Sequence, residues 1–289
     1  MKIGFVGLGL LGSAMVRRLS SQGVPLTLWN RTLDKAKNFG LPYTNTLAQL
    51  FEENEVVFLC LRDSLAVEEV LKEVEPNLSG KVVVDTTTNS YFNVLKFHKF
   101  VQNRGGVYLE CPVLGSVIPA ERGELTILVS GEEEAYKKVG GLLNLLGKKI
   151  IYFGEPGKAT KAKLINNYVL GLFMEAISST LVLGERVGLS KAEVLEVLEN
   201  GAGNSYLLKV KKTKLLEEDF SPHFSINNLY KDLNYAEELF KSYNGIALEG
   251  SVVREVYKLC VAMGLGEEDI SAVYEALKRL VQAPVAMKS

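Results

Sequence analysis

The sequence is poor in histidine, cysteine and tryptophan, and it has almost no net charge. The two histidines, His98 and His223, and the three cysteines, Cys60, Cys111 and Cys260, lie far apart in 289 residues. Neither a metal-ligand spacing nor an even disulfide set is present, so reduced thiols and no metal are expected. With 33 basic against 34 acidic side chains the formal charge is −1, which removes the electrostatic case for nucleic acid or an anionic membrane as a partner. The opening MKIGFVGLGLLG is apolar, but glycines break it, one Lys precedes it and helical pattern follows, unlike a secretory leader. Small-molecule partners, no membrane span and a cytoplasmic location are the expectations.

What is present is apolar: 47% of the residues are hydrophobic, more than one domain usually buries. Short β-branched runs, KIGFVG, PLTLWN, VVFLCL, VVVDTT, GVYLEC, LTILVS and KIIYFG, alternate with helical pattern through the first half. Such alternation predicts an α/β fold with a doubly wound, mostly parallel sheet of the Rossmann type. Beyond Gly157 the strands stop and apolar residues recur at three-and-four spacing, which predicts an all-α second domain entered through a long interdomain helix. The expected division is 1–159 for dinucleotide binding and 160–289 for substrate binding and oligomerisation. The stretch from Gly201 to Asn228, with its Gly, Asn, Ser and Pro, reads as a loop-rich passage suited to lining a cleft.

Gly7, Gly9 and Gly12 form a G-x-G-x-x-G pattern directly after the first strand and at the head of a helix. The first glycine permits a tight turn, the second lets backbone approach a pyrophosphate and the third lets helix and strand pack closely, with Leu10 and Leu11 between them. A glycine-rich turn made only for packing is the alternative. At the end of the second strand, where an NAD enzyme shows an acidic residue, stand Asn30, Arg31 and Thr32. An arginine there pairs with a 2′-phosphate, so NADP(H) is the expected cofactor. Trp29 reads as strand-end packing.

In TKAKLINNYVLGLFMEAI a helix places Lys163 and Asn167 on one face, with Thr160 and Gly171 above and below, and Gly171 leaving space open. A lysine there can give a proton and stabilise charge on a carbonyl oxygen, and Asn167 can hold that oxygen. Polar decoration of a helix start is the competing reading. Cys111 reads as a small buried hydrophobe, and the VKKTK cluster as a solvated face.

IGFVGLGLLGSAM, VDTTTNS, ECPVLGSVIPAERGEL, GEPGKATKAKLINN and YKDLNYA occur in an order that resembles the β-hydroxyacid dehydrogenase family, over essentially the whole chain. The resemblance implies that Lys163 is the catalytic acid/base and that Asn167 assists substrate placement. It also implies that Thr88 lies beside nicotinamide and substrate, that Leu61 and Arg62 of CLRDS approach the cofactor ribose, that Phe224 and Asp232 close a cleft and that Lys231 contacts the cofactor. A homodimer or homotetramer is implied too, and WNRT is similar to the NADPH-preferring reductase branch. One departure stands out: Leu114 occupies the place of a family serine that binds the substrate carboxylate, so either backbone N–H groups around Gly115 and Ser116 bind it instead or Leu114 re-aims the pocket toward a less polar substrate. The expected activity is NADPH-dependent reduction of a small aldehyde or keto acid of the glyoxylate or succinic semialdehyde type, with a carboxylate-bearing substrate. The alternatives are a 3-hydroxy acid dehydrogenase acting on 3-hydroxyisobutyrate or serine, an imine reductase, or a non-catalytic dinucleotide-binding module.

Overall fold

The computed structural model describes residues 1–282; the last part of the expected second domain, 283–289, lies outside the described residues. The chain forms two compact units divided after Leu164. In the first unit β1 (Ile3–Val6), α1 (Leu10–Ser21), β2 (Leu26–Trp29), α2 (Leu33–Lys37), α3 (Leu47–Glu53), β3 (Val56–Leu59), α4 (Ser64–Glu73), β4 (Val82–Asp85), α5 (Tyr91–Gln102) and β5 (Val107–Glu110) alternate regularly. There follow β6 (Val113–Leu114), α6 (Val117–Arg122), β7 (Leu125–Ser130), α7 (Glu133–Leu146) and β8 (Gly147–Gly154). The sheet order is β2-β1-β3-β4-β5-β7-β6, with β8 paired to β7. The first five strands are parallel, while β7 runs antiparallel to β5 and β6.

These strands read as unbroken apolar runs because both faces are covered. Phe5, Phe58 and Val84 face a core shared with Met15 and Leu19 of α1. Their neighbours Val6, Val57, Leu59 and Val83 face the opposite core, built with Phe51 of α3, Leu71 of α4 and Phe97 of α5. The seven strand runs predicted from sequence are all present; β6, two residues long, is additional.

The chain passes from β1 outward to β2 and then back across to β3, so connections leave in opposite directions at the carboxyl ends of β1 and β3. That is the switch point where open α/β sheets bind ligands.

The long helix α8 (Lys158–Arg186) begins in the first unit and continues into the second. Met174, Ile177, Leu181 and Val182 of α8 are buried in the second unit's core. By length and composition α8 is apolar enough to cross a membrane, but these four side chains are already covered by protein. The core is completed by α9 (Lys191–Asn200), α10 (Tyr206–Glu217), α11 (Ile226–Ser242), α12 (Leu248–Ala262) and α13 (Val273–Gln282). A capping box, Ser190 with Glu193, starts α9.

Three expectations are refined or corrected here. The loop-rich stretch 201–228 has the twelve-residue helix α10 at its centre, with irregular backbone only on either side of it. Of the VKKTK lysines, Lys211 and Lys214 are buried, not solvated: Lys211 reaches both oxygens of Asp269 at 2.6 and 2.8 Å. Gly171 opens no space, because a Cβ there would lie 3.1 Å from the side chain of Leu233.

Candidate active site

The turn after β1 is tight for steric reasons. Gly7 has φ +99°, and a Cβ there would lie 2.3 Å from the Cys60 carbonyl oxygen; one on Gly12 would lie 2.1 Å from the carbonyl oxygen of Gly7. Around Gly9, the N-cap of α1, no atom of the described residues outside its own chain neighbourhood lies within 4 Å of such a Cβ, so its backbone faces open space. The first turn of α1 carries no acidic residue, which keeps its N-terminal dipole available to an anion. Leu10 is exposed and Leu11 packs partly against the core. Open backbone at Gly9, an uncompensated helix N-terminus and the switch-point location together fit a dinucleotide pyrophosphate.

Asn30 holds this turn from the side: its Oδ1 accepts from the Leu8 N–H at 2.9 Å, and its Nδ2 donates to the Thr32 carbonyl at 3.0 Å. Arg31 and Thr32 are exposed. Leu61 meets the glycine turn after β3, since its Cδ2 is 3.0 Å from the Cβ position of Gly7. Arg62, also exposed, pairs with Asp63 at 2.8 Å, and Asp63 caps α4.

The loop after β4 is fixed by a buried carboxylate. Asp85 accepts from the Thr87 N–H at 2.9 Å, from Asn89 at 2.8 Å and from the Tyr108 hydroxyl. Burial pushes its pKa up, against the opposing effect of those hydrogen bonds. Thr87 in turn accepts from the Leu61 N–H at 2.9 Å. Thr86 is buried too, its hydroxyl donating to the Leu59 carbonyl at 2.7 Å, and Thr88 is the partly exposed threonine of the three.

Lys163 is 8% exposed, and its ammonium donates to the Val113 carbonyl at 2.8 Å. That carbonyl directly precedes Leu114, Gly115 and Ser116. Leu114 is half-buried and paired with Thr126 of β7, Gly115 turns at φ +118°, and Ser116 precedes α6. Cys111 is fully buried, and burial first, with nearby Asp85 and Glu110, pushes its thiol far up, so it is no nucleophile.

In the second unit Asn167 is 1% exposed and donates to Asp232 Oδ2 at 2.6 Å, while Asn166 next to it is exposed. The other oxygen of Asp232 lies 3.1 Å from the Lys231 ammonium, but without hydrogen-bond alignment. Phe224 sits at the end of a loop whose N–H groups at His223 and Phe224 donate to Asp269 at 3.1 and 3.3 Å. The first unit therefore gathers Gly7, Gly9, Gly12, Asn30 and Leu61, and separately Lys163 with the loop 113–116. The second gathers Asn167, Lys231 and Asp232. Sequence reading missed Asp85, Thr87, Glu110 and Asp269; a lone acid in an otherwise apolar strand, as in VVVD and VYLE, is the signal that marks the first and third.

Residues 2–154 match the NAD binding domain of 6-phosphogluconate dehydrogenase, and residues 157–277 match the NAD-binding domain of NADP-dependent 3-hydroxyisobutyrate dehydrogenase. Glyoxylate/succinic semialdehyde reductase 1 of Arabidopsis thaliana is 32% identical, over 96% of this chain and 99% of its own. Among solved structures, 3-hydroxyisobutyrate dehydrogenase of Mycobacterium tuberculosis with L-serine superposes with TM-score 0.85 at 26% identity, covering 96% of this chain and 99% of its own. Psf3 in complex with NADP+ and 2-OPP superposes at 0.86 and 27% identity, covering 95% and 99%. A glycine turn built for a dinucleotide, a helical second unit and matches spanning both place this chain in the β-hydroxyacid dehydrogenase family, as an oxidoreductase that uses a nicotinamide dinucleotide.

Proposed function

We propose that the chain is an NADPH-dependent reductase of a short aldehyde or keto acid, of the glyoxylate or succinic semialdehyde type, forming the hydroxy acid. When bound, the dinucleotide supplies the hydride. Lys163 gives the proton to the carbonyl oxygen, and in the reverse direction the neutral amine takes the hydroxyl proton. The observation that carries this reading is the buried Lys163 ammonium, held 2.8 Å from the Val113 carbonyl beside the loop 114–116. Thr88, Gly115 and Ser116 are assigned to substrate in the first unit, and Asn167, Phe224 and Asp232 in the second. Gly7, Gly9, Leu10, Leu11, Gly12, Leu61, Arg62, Thr88 and Lys231 are assigned to the cofactor. Arg31, exposed at the end of β2 with Asn30 and Thr32 beside it, supports NADP(H) over NAD(H).

A homodimer or homotetramer in the cytoplasm belongs to the same reading. Self-association is supported by apolar surface at four-residue spacing on α8, where Ile165, Val169 and Phe173 are 60%, 40% and 47% exposed.

Leu114 favours a second reading. An apolar side chain directly after the Val113 carbonyl suits a substrate with less charge at that point, such as a cyclic imine or a 3-hydroxy acid held by backbone alone. Turnover of purified protein with glyoxylate, succinic semialdehyde, a cyclic imine, L-serine and 3-hydroxyisobutyrate, each with both cofactors in the matching redox state, separates them. Reduction of glyoxylate or succinic semialdehyde with NADPH over NADH is expected. Turnover of the imine or the hydroxy acids alone moves the assignment to the second reading, and none at all leaves a dinucleotide-binding module.

A further inference from the structure

The strand β5 ends on a carboxylate that the chemistry above does not use. Glu110 is 1% exposed, following Val107, Tyr108 and Leu109. A buried carboxylate is costly unless its oxygens are filled, and here each oxygen has two neighbours to bond. Oε1 accepts from the Gly157 N–H and lies 3.2 Å from Nε2 of His98. Oε2 accepts from the Thr160 N–H at 2.8 Å and from the Thr160 hydroxyl at 2.5 Å. Gly157 and Thr160 flank and open α8, whose first-turn N–H groups have no partner within the helix. Ser130 takes another of them, accepting from the Ala159 N–H at 3.0 Å. Lys163 lies three residues beyond Thr160, and the carbonyl it binds, Val113, lies three residues beyond Glu110. One short segment thus grips α8 at two points about a turn apart, through a side-chain carboxylate and a backbone carbonyl.

We infer that Glu110 is a positioning residue for Lys163: by fixing the first turn of α8 it sets the place of the ammonium beside the loop 113–116. This rests on Lys163 being the proton donor. The chemistry requires a carboxylate. Two acceptor oxygens serve the Gly157 and Thr160 donors, whereas a glutamine offers one oxygen and turns its NH2 toward another N–H. Aspartate keeps the charge but falls short by a methylene.

The test compares wild type, Glu110→Gln, Thr160→Val, Lys163→Ala and the double variant Glu110→Gln/Lys163→Ala. It reads kcat, KM, NADPH affinity, thermal midpoint and amide hydrogen exchange at residues 157–160. Misplacing a reacting group by an ångström costs on the order of 100-fold, so Glu110→Gln should lower kcat by about 10- to 100-fold. NADPH affinity should stay the same while exchange at Gly157 and Thr160 rises. Thr160→Val should give a smaller loss in the same direction. In the Lys163→Ala background, Glu110→Gln should cost nothing further. An equal loss in both backgrounds overturns the inference and leaves the donor in place, as does wild-type kcat in a folded Glu110→Gln. Substantial turnover by Lys163→Ala alone overturns the donor assignment and the positioning role with it. Should Glu110→Gln fail to fold, unchanged kcat in Thr160→Val overturns the inference.

Discussion

In the proposed function Arg31 is the residue that selects NADP(H) over NAD(H). It is exposed at the end of β2, while its neighbour Asn30 is already bound to Leu8 and Thr32. Replacing its guanidinium with a carboxylate turns attraction for a 2′-phosphate into repulsion. In Arg31→Asp the affinity for NADPH should fall by about 100-fold, equivalent to about 2.8 kcal/mol. Affinity for NADH should change little, as read by fluorescence titration of each cofactor; equal losses contradict the assignment. The glycines of the turn after β1 were legible because Gly7, Gly9 and Gly12 fall in one pattern within six residues, although the Cys60 carbonyl that crowds Gly7 comes from the end of β3. Glu110 was not, because its partners Gly157 and Thr160 lie 47 and 50 residues further along the chain. Asn30 shows the intermediate case, where the residue was singled out but its bond to the glycine turn, 22 residues back, was visible only in the structure.

At the scale of elements, strands buried on both faces announce themselves as continuous β-branched runs, and seven were readable for that reason. The two-residue β6 is too short to carry a pattern, although it holds the Val113 carbonyl. The helix α10 was hidden by its own lysines: Lys211 and Lys214 turn inward, so the apolar periodicity that marks a helix is broken. Lys214 donates to the carbonyl and hydroxyl of Ser221 at 2.7 and 2.9 Å and to Asp219, while Lys211 is paired with Asp269. Asp269 accepts from Lys211, from Ser271 and from the backbone of His223 and Phe224, tying α10 to the loop that leads into α11. Burial alone would raise the Asp269 pKa, but Lys211 and these hydrogen bonds outweigh it and hold it below the ordinary value of 3.8. A depressed carboxylate contributes stability above its unfolded pKa and loses it as pH falls through the folded one. Asp269→Asn should therefore destabilise the protein at neutral pH by about 3–5 kcal/mol, since it leaves a buried ammonium without its counter-charge. Urea unfolding should show the gap from wild type narrowing as pH drops below 3.8. A gap that is constant or widens on acidification contradicts this account.

At the scale of the whole molecule, the end of the β-branched runs at Gly157, with only three-and-four spacing beyond it, revealed a parallel-sheet unit followed by a helical one. Five motifs in order then revealed the family. Neither signal reaches the substrate, because the position that would report it carries Leu114 instead of a serine. What the two units share is α8, which starts in the first with Lys163 and continues through the second with Asn167 and the core residues Met174 and Leu181.

The most direct test of the central claim is single-turnover reduction by Lys163→Ala, with NADPH affinity measured on the same preparation. The donor role predicts a reduction rate lowered by about 100- to 10,000-fold, the range of a positioned general acid, with NADPH affinity unchanged. A rate near wild type with NADPH still bound would contradict it.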